Sequence, residues 1–319
     1  MPKVLIVQPI AQEGIDLLLN QGYEVKRLYE HSQALLVKEV VDADAILVRD
    51  GMIPRAVIER GKRLQVISRH GAGLERIDVD AATEHGVYVT RTPIANSLSV
   101  AEHVIGLMLA LAKNLVTVDR ELRRGNFEIR HQRYGIELEG RTLGILGLGN
   151  IGSRLGKKAA NGLGMRVIGY DPYVDRDGLD PLIQIKEDWH SVFQEADFVS
   201  LHVPLTHRTR GLVGLDQFRI MKKSAFFINC SRGPIVKEAD LIVALKEGLI
   251  AGAGIDVYDP DPPAKNHPLF AMDNVIVTPH SAAHTREAMI NMATQAAQGI
   301  IEVLSNRKPT WPANQIEPS

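Results

Sequence analysis

The stretch Gly147-Leu148-Gly149-Asn150-Ile151-Gly152 decides the fold. In front of it runs the apolar, β-prone Leu143-Gly144-Ile145-Leu146, and behind it a helix-like run carries Leu155, Ala159 and Ala160. A second apolar run, Met165-Arg166-Val167-Ile168-Gly169-Tyr170, ends at Asp171. Strand, glycine turn, helix, strand and then an acid about 20 residues past the glycines make the dinucleotide-binding arrangement. Gly147 permits the tight turn, Gly149 lets backbone approach a pyrophosphate, and Gly152 lets the helix lie close to its strand. The helix N-terminus offers amide groups and a partial positive charge to the phosphates. Asp171 can accept hydrogen bonds from both ribose hydroxyls. A carboxylate there repels a 2′-phosphate and no Arg or Lys follows it immediately, which favours NAD over NADP, with Arg176 near enough to keep the question open.

The totals narrow the classes around that motif. The chain has 319 residues, a formal net charge of −1, 45% hydrophobic residues and one cysteine. That length suits two domains, each with its own core. Near-neutral charge offers no electrostatic case for nucleic acid or a membrane surface. Cys230 stands alone, so no intramolecular disulfide forms, and a reducing compartment is expected. Lys3–Val7 reads as a strand rather than a signal peptide, and the most apolar stretch, Val104–Ala112, is too short to span a bilayer. The expectation is a soluble cytoplasmic protein.

The first hundred residues alternate strand and helix. Lys3–Val7, Tyr23–Leu28, Ala45–Val48, Leu64–Ser68 and Val87–Val89 read as strands, with helices at Glu13–Leu19 and Pro54–Arg60, the latter opening on its proline. Such alternation argues an open, mostly parallel sheet. No glycine phosphate turn follows its first strand, so this half is not expected to hold the nucleotide. Arg69-His70-Gly71-Ala72-Gly73 follows a strand end, where it is either an anion-binding nest or a plain turn. Arg49 is either a ligand-facing cation or a solvated one. Further on, Ser99 and Glu102 have capping-box spacing, predicting a helix that starts there, runs through Leu111 and crosses between domains. Arg123–Glu139 reads as an arm able to face a partner subunit, and a homodimer is the expected assembly.

In the nucleotide half, strands are predicted at Phe198–His202, Ala225–Asn229, Gly252–Val257 and Val275–Thr278. Their carboxyl ends, where open α/β sheets bind ligands, carry His202-Val203-Pro204, Cys230-Ser231-Arg232, Asp256 and Pro279-His280. An arginine there can grip a carboxylate with two parallel hydrogen bonds, though a lone arginine is more often a surface residue. A histidine beside a carboxylate suits proton transfer, because imidazole titrates near neutrality. His280 and His284 have i, i+4 spacing for a metal. No glutamate takes the metalloprotease position, though, and Pro279 marks a turn, so no metal is expected.

Together these residues resemble the D-isomer-specific 2-hydroxyacid dehydrogenases, especially their short phosphoglycerate dehydrogenase branch. The carriers are Arg69–Asp78 (RHGAGLERID), Asn96–His103 (NSLSVAEH), Gly144–Gly152 (GILGLGNIG), His202–Thr206 (HVPLT), Asn229–Gly233 (NCSRG), Gly254–Val257 (GIDV) and Thr278–His280 (TPH). The resemblance implies an α/β fold of two doubly wound, Rossmann-like parallel-sheet domains with a cleft between them. Residues 1–98 plus 285–319 would be a flavodoxin-like substrate domain and 99–284 the NAD domain, without an added regulatory domain. It implies an NAD-dependent oxidoreductase moving hydride between the cofactor and a small-molecule D-2-hydroxy acid or its 2-oxo acid, 3-phosphoglycerate being favoured by Arg49, Arg69 and His70. Arg232 would bind the carboxylate and polarise the 2-oxo group, and His280 would protonate that oxygen. Gly71, Ala72 and Gly73 would hold the carboxylate with backbone amides. Asn150 and Ile151 would meet the pyrophosphate, Asp256 the carboxamide, and Ala72, His202, Val203, Pro204, Cys230, Ser231 and Ala282 would line the cofactor. The third catalytic residue would be Asp261, one methylene shorter than the glutamate usual in the family, paired with His280. Glu75-Arg76 stands where Asp-Asn is usual, and Ala282-Ala283 where glycine is frequent. The alternative is a catalytically silent NAD(H)-sensing module of the corepressor type. A third reading, formate or phosphonate oxidation, would need altered substrate-side residues.

Overall fold

Val4, Leu5, Ile6 and Val7 are each at most 2% exposed. Helices cover both faces of such a parallel sheet, so its strands have no polar face. The structure, a computed structural model, describes residues 1–28 and 32–316. Residues 317–319 of the expected substrate domain therefore lie outside the described residues. The chain forms two compact units: unit 1 is Met1–Asn96 with His284–Ser319, and unit 2 is Ser97–Ala283.

Unit 1 runs β1 (Lys3–Val7), α1 (Gln12–Asn20), β2 (Glu24–Leu28), α2 (Gln33–Glu39), β3 (Ala45–Val48), α3 (Arg55–Arg60), β4 (Val66–Arg69), α4 (Val79–Glu84) and β5 (Tyr88–Thr90). Its five parallel strands take the order β2-β1-β3-β4-β5, the flavodoxin-like doubly wound order. Side chains alternate across the sheet. Val4 and Ile6 pack with Ile15, Leu18 and Ile300, while Leu5 and Val7 pack with Leu36, Val57 and Ala81. Pro54 stands just before α3 as its N-cap rather than inside it.

Unit 2 runs α5 (Ser97–Ala112), α6 (Leu115–Arg123), β6 (Thr142–Leu146), α7 (Gly152–Leu163), β7 (Arg166–Tyr170), β8 (Ile183–Ile185), α8 (Trp189–Glu195), β9 (Phe198–Leu201), α9 (Leu215–Ile220), β10 (Phe226–Asn229), α10 (Glu238–Lys246), β11 (Gly252–Ile255) and β12 (Val275–Val277). The chain then re-enters unit 1 with α11 (Arg286–Leu304). The seven parallel strands are ordered β12-β11-β10-β9-β6-β7-β8. The winding reverses between β6 and β9, the switch point where such sheets bind ligands.

Two expectations change. Ser99 is not an N-cap: α5 begins at Ser97, and Ser99 is buried inside it with its hydroxyl donating to the Ala282 carbonyl at 2.8 Å. The Ser-x-x-Glu spacing arises by chance within a helix, and Glu102 pairs with Lys158 instead. A second helix, α6, which buries none of its residues, was not anticipated between the crossing helix and the Arg123–Glu139 arm, and the arm itself holds a 3-10 turn over Phe127–His131.

Candidate active site

The glycine turn has the geometry its residues require. Gly147 sits at φ +90°, and a Cβ there would lie 2.7 Å from the His202 carbonyl oxygen. A Cβ at Gly152 would lie 2.0 Å from the Gly147 oxygen, so only glycine lets α7 start this close to the turn. Gly149 faces open space, with no atom within 4 Å of a built Cβ. Ile151, the N-cap of α7, has no side-chain oxygen to satisfy the first amides, which leaves the helix end suited to an anion. Asp171 ties β7 to the turn: Oδ2 accepts from the Leu148 amide and Oδ1 from the Tyr173 amide, both at 2.9 Å. Its remaining lone pairs suit ribose hydroxyls. Arg176 is paired with Glu187 at 3.0 Å. The open space at Gly149, the uncapped helix and the carboxylate together fit a dinucleotide.

The chemistry-bearing side chains stand on loops after β9, β10, β11 and β12. Asn229, 2% exposed, closes a turn on itself. Its Oδ1 accepts from the Ser231 amide and its Nδ2 donates to the Arg232 carbonyl, each at 3.0 Å. Ser231 Oγ donates to the Val203 carbonyl at 2.6 Å, and Arg232 Nη1 donates to the Ser231 carbonyl at 2.8 Å. A Cβ on Gly233 would lie 1.9 Å from the Tyr258 oxygen, so the Arg232 turn rests directly on the chain after β11. Tyr258 in turn donates its hydroxyl to the Thr278 carbonyl at 2.9 Å, which links the Arg232 turn to the segment before His280. Burial first, then Asp256 and Asp261, push the Tyr258 phenol up to about 12, so it remains a donor.

His280 and Asp261 meet. His280 Nδ1 lies 2.5 Å from Asp261 Oδ2, with the side chains 51% and 32% exposed. The shorter acid therefore reaches the imidazole, leaving Nε2 as the nitrogen that can exchange a proton with a ligand. His280 adopts φ +52°, so the i, i+4 spacing to His284 is not on a helix. Asp256 is fully buried. Its Oδ1 accepts from Thr278 Oγ1 at 2.5 Å and the Ser281 amide at 2.8 Å, and its Oδ2 accepts from the Ala282 amide at 3.0 Å. Cys230 lies in the core beneath α5, and burial with the Asp256 charge raises its thiol pKa well above the ordinary range. Desolvation holds His202 neutral, at about 3, with Nε2 2.9 Å from Ser200 Oγ. Pro204 accepts at its carbonyl from Thr209 Oγ1 at 2.6 Å.

Unit 1 has its own polar cluster. Gly71 adopts φ +139°. Arg69 folds over the loop, donating Nε to the Gly73 carbonyl at 3.0 Å and Nη1 to the His70 carbonyl at 2.8 Å. With the carbonyls turned to the guanidinium, the amides of Ala72 and Gly73 donate to no protein acceptor among the described residues. Arg49 lies 3.2 Å from Asp50 and 3.3 Å from His284 Nε2. His70 is 3% exposed, and its Nε2 has no partner among the described residues. Burial first, then Arg49 and Arg69, lower its pKa to about 4. Sequence reasoning gave no structural role to Asn229, Gly233 or Tyr258; their partners are remote in sequence or are backbone atoms, which leave no spacing to read.

A model of the D-isomer specific 2-hydroxyacid dehydrogenase NAD binding domain matches residues 105–282. The chain belongs to the D-isomer-specific 2-hydroxyacid dehydrogenases. A D-3-phosphoglycerate dehydrogenase of Methanocaldococcus jannaschii is 42% identical over 95% of this chain and 58% of its own length. The chain spans about half to three-fifths of the length of this and four other curated phosphoglycerate dehydrogenases it matches. A glyoxylate reductase of Thermofilum pendens is 36% identical over 97% of this chain and 93% of its own length. A crystal structure of a Thermus thermophilus protein superposes with a TM-score of 0.90 at 33% identity, covering 98% of this chain and 100% of that one. Both the glycine turn and the His280–Asp261 pair fall within the matched domain.

Proposed function

We propose that the protein is an NAD-dependent D-2-hydroxyacid dehydrogenase, and the observation that carries this is the 2.5 Å pairing of His280 with Asp261 in a NAD-binding domain. A bound nicotinamide supplies or accepts the hydride. His280 Nε2 gives a proton to the oxygen at C2 in reduction and takes it back in oxidation, while Asp261 holds the ring by Nδ1. Arg232 grips the substrate carboxylate and polarises the 2-oxo group. In unit 1, the Ala72 and Gly73 amides, with the neighbouring carbonyls drawn to Arg69, are donors suited to a carboxylate. Asn150, Ile151 and Asp171 take the pyrophosphate and ribose. Val203, Pro204, Ser231 and Ala282 line the remainder of the cofactor; Asp256, expected at the carboxamide, is instead fully buried and spends both oxygens on Thr278, Ser281 and Ala282. With Arg176 occupied by Glu187, NAD is preferred to NADP.

The substrate class is an acid with an anionic tail, such as 3-phosphoglycerate. Arg49 and Arg69 supply positive charge, and Asp50, 3.2 Å from Arg49, partly offsets it. Steady-state reduction of glyoxylate, pyruvate, hydroxypyruvate and phosphohydroxypyruvate with NADH and NADPH tests both preferences. The tail assignment fails if the uncharged-tail acids have the higher kcat/KM. His280→Ala should cost two to four orders of magnitude, roughly, in turnover. Tight NADH binding without turnover on any acid would favour the sensing module instead.

A second copy of the chain is the proposed partner. Leu115, Val116 and Leu122 on α6 are 51%, 51% and 54% exposed, and Phe127 and Tyr134 beyond it 57% and 78%. A run of apolar surface on one arm is typical of a covered interface. Light scattering should give a dimer that Val116→Glu with Leu122→Lys converts to monomer. A monomeric wild type at micromolar concentration would refute this. A reducing cytoplasmic setting suits Cys230, the only cysteine, buried and free.

A further inference from the structure

His280 sits at the tip of a loop that must be stationary for its ring to be useful. The loop is held from behind by one face of α5. Ser99 and His103 lie one helical turn apart, so they share that face. Ser99 Oγ donates to the Ala282 carbonyl at 2.8 Å, two residues after His280. His103 Nε2 lies 3.1 Å from Thr278 Oγ1, two residues before it. The Thr278 hydroxyl has one proton, and it points at Asp256 Oδ1 at 2.5 Å. His103 Nε2 must therefore be the donor to Thr278. Asp256 closes the arrangement by accepting from the amides of Ser281 and Ala282 at 2.8 and 3.0 Å.

We propose that Ser99 and His103 are positioning residues of the catalytic loop, a two-point clamp from α5 that sets where His280 presents its Nε2. The assignment rests on the dehydrogenase reading above. It accounts for two polar side chains on a helix whose neighbouring Val100, Val104 and Leu107 are core. It also explains why Ser99 is buried rather than capping. His103, Cys230 and Asp256 bring ligand-type atoms within 4.8 Å of one another, so a metal site is the competing assignment. Against it, Asp256 already accepts three hydrogen bonds, and a cation would need a thiolate from a thiol whose pKa burial raises well above the ordinary range.

A double-mutant cycle on the full chain tests the clamp. His103→Ala should lower kcat roughly ten- to hundredfold, since small misplacement of a reacting group is costly. The NADH dissociation constant should stay within about twofold. His103→Gln, whose amide can still donate to Thr278, should recover most of the loss, and Ser99→Ala should reproduce part of it. In a His280→Ala background, His103→Ala should add nothing, because residues acting through one group are not additive. An equal further loss in that background, or no rescue by glutamine, overturns the proposal. The 15N signals of the His280 ring provide a readout without turnover. They should move in His103→Ala and return in His103→Gln; unmoved signals overturn the clamp even if no acid proves to be a substrate. A wild type that binds NADH but reduces no acid refutes the dehydrogenase reading alone. Stabilisation by added zinc that vanishes in Cys230→Ser would assign a metal and overturn positioning.

Discussion

Asp261→Asn isolates the contact on which the proposed proton transfer depends. The substitution keeps shape and removes charge. Asp261 Oδ2 lies 2.5 Å from His280 Nδ1, with the side chains 32% and 51% exposed. A charge-assisted hydrogen bond contributes about 1.5–3 kcal/mol, and an exposed ion pair only about 0–1. This pair is half in water, so about 1.5–2.5 kcal/mol is the reasonable range. At about 1.4 kcal/mol per decade, kcat/KM should fall roughly 10- to 70-fold. NADH binding should not change, because the contact does not reach the glycine turn. Asp261→Glu is the sharper companion. One added methylene lengthens the reach by about 1.5 Å, which an already short contact cannot absorb without moving the loop. Pro260, Pro262 and Pro263 make that loop stiff. Glutamate should therefore cost several-fold. The assay is loss of NADH absorbance with the best oxo acid from the panel. A change under twofold for Asp261→Asn, or full activity for Asp261→Glu, would refute the coupling argument.

Gly233→Ala puts a carbon 1.9 Å from the Tyr258 oxygen, so the Arg232 turn must move. Overpacking of this kind costs about 1–3 kcal/mol, to be read as a lower melting temperature with kcat/KM reduced at least tenfold. Asp171→Ala removes two backbone hydrogen bonds and the expected ribose contact, and should raise KM for NADH by about ten- to hundredfold while narrowing the preference over NADPH. Stability should fall with acid. His70 is neutral in the fold at pKa about 4 against 6.5 in the unfolded chain, so below about pH 6.5 the unfolded chain binds the extra proton. The loss is absent above pH 6.5 and grows to about 3 kcal/mol near pH 4. Calorimetry from pH 7 to 4 should show a slope that His70→Gln flattens; an equal slope in both proteins would remove His70 from the account.

What the sequence alone determined is whatever short-range sterics and periodicity settle. The apolar strands of both sheets, the reversal into a glycine turn at Gly147 and the acid at Asp171 are legible because each is dictated by residues within one βαβ unit. The three-residue β8 left no period to read, and α6 carries an apolar stripe, Leu115, Val118 and Leu122, that the core of its own unit does not bury. The Ser99–Glu102 spacing misleads because a four-residue pattern does not know whether it will be buried. Only tertiary structure decided the partnerships. His280 and Asp261 are 19 residues apart, His103 and Thr278 175, and Ser99 and Ala282 183. Hydrogen bonds of that span depend on where the chain returns in space, and the parallel sheet sets that by placing successive strand ends along one edge. The same edge carries Arg232, Asp256 and the His280 loop, which is why residue types could be recognised in the sequence while their supports could not.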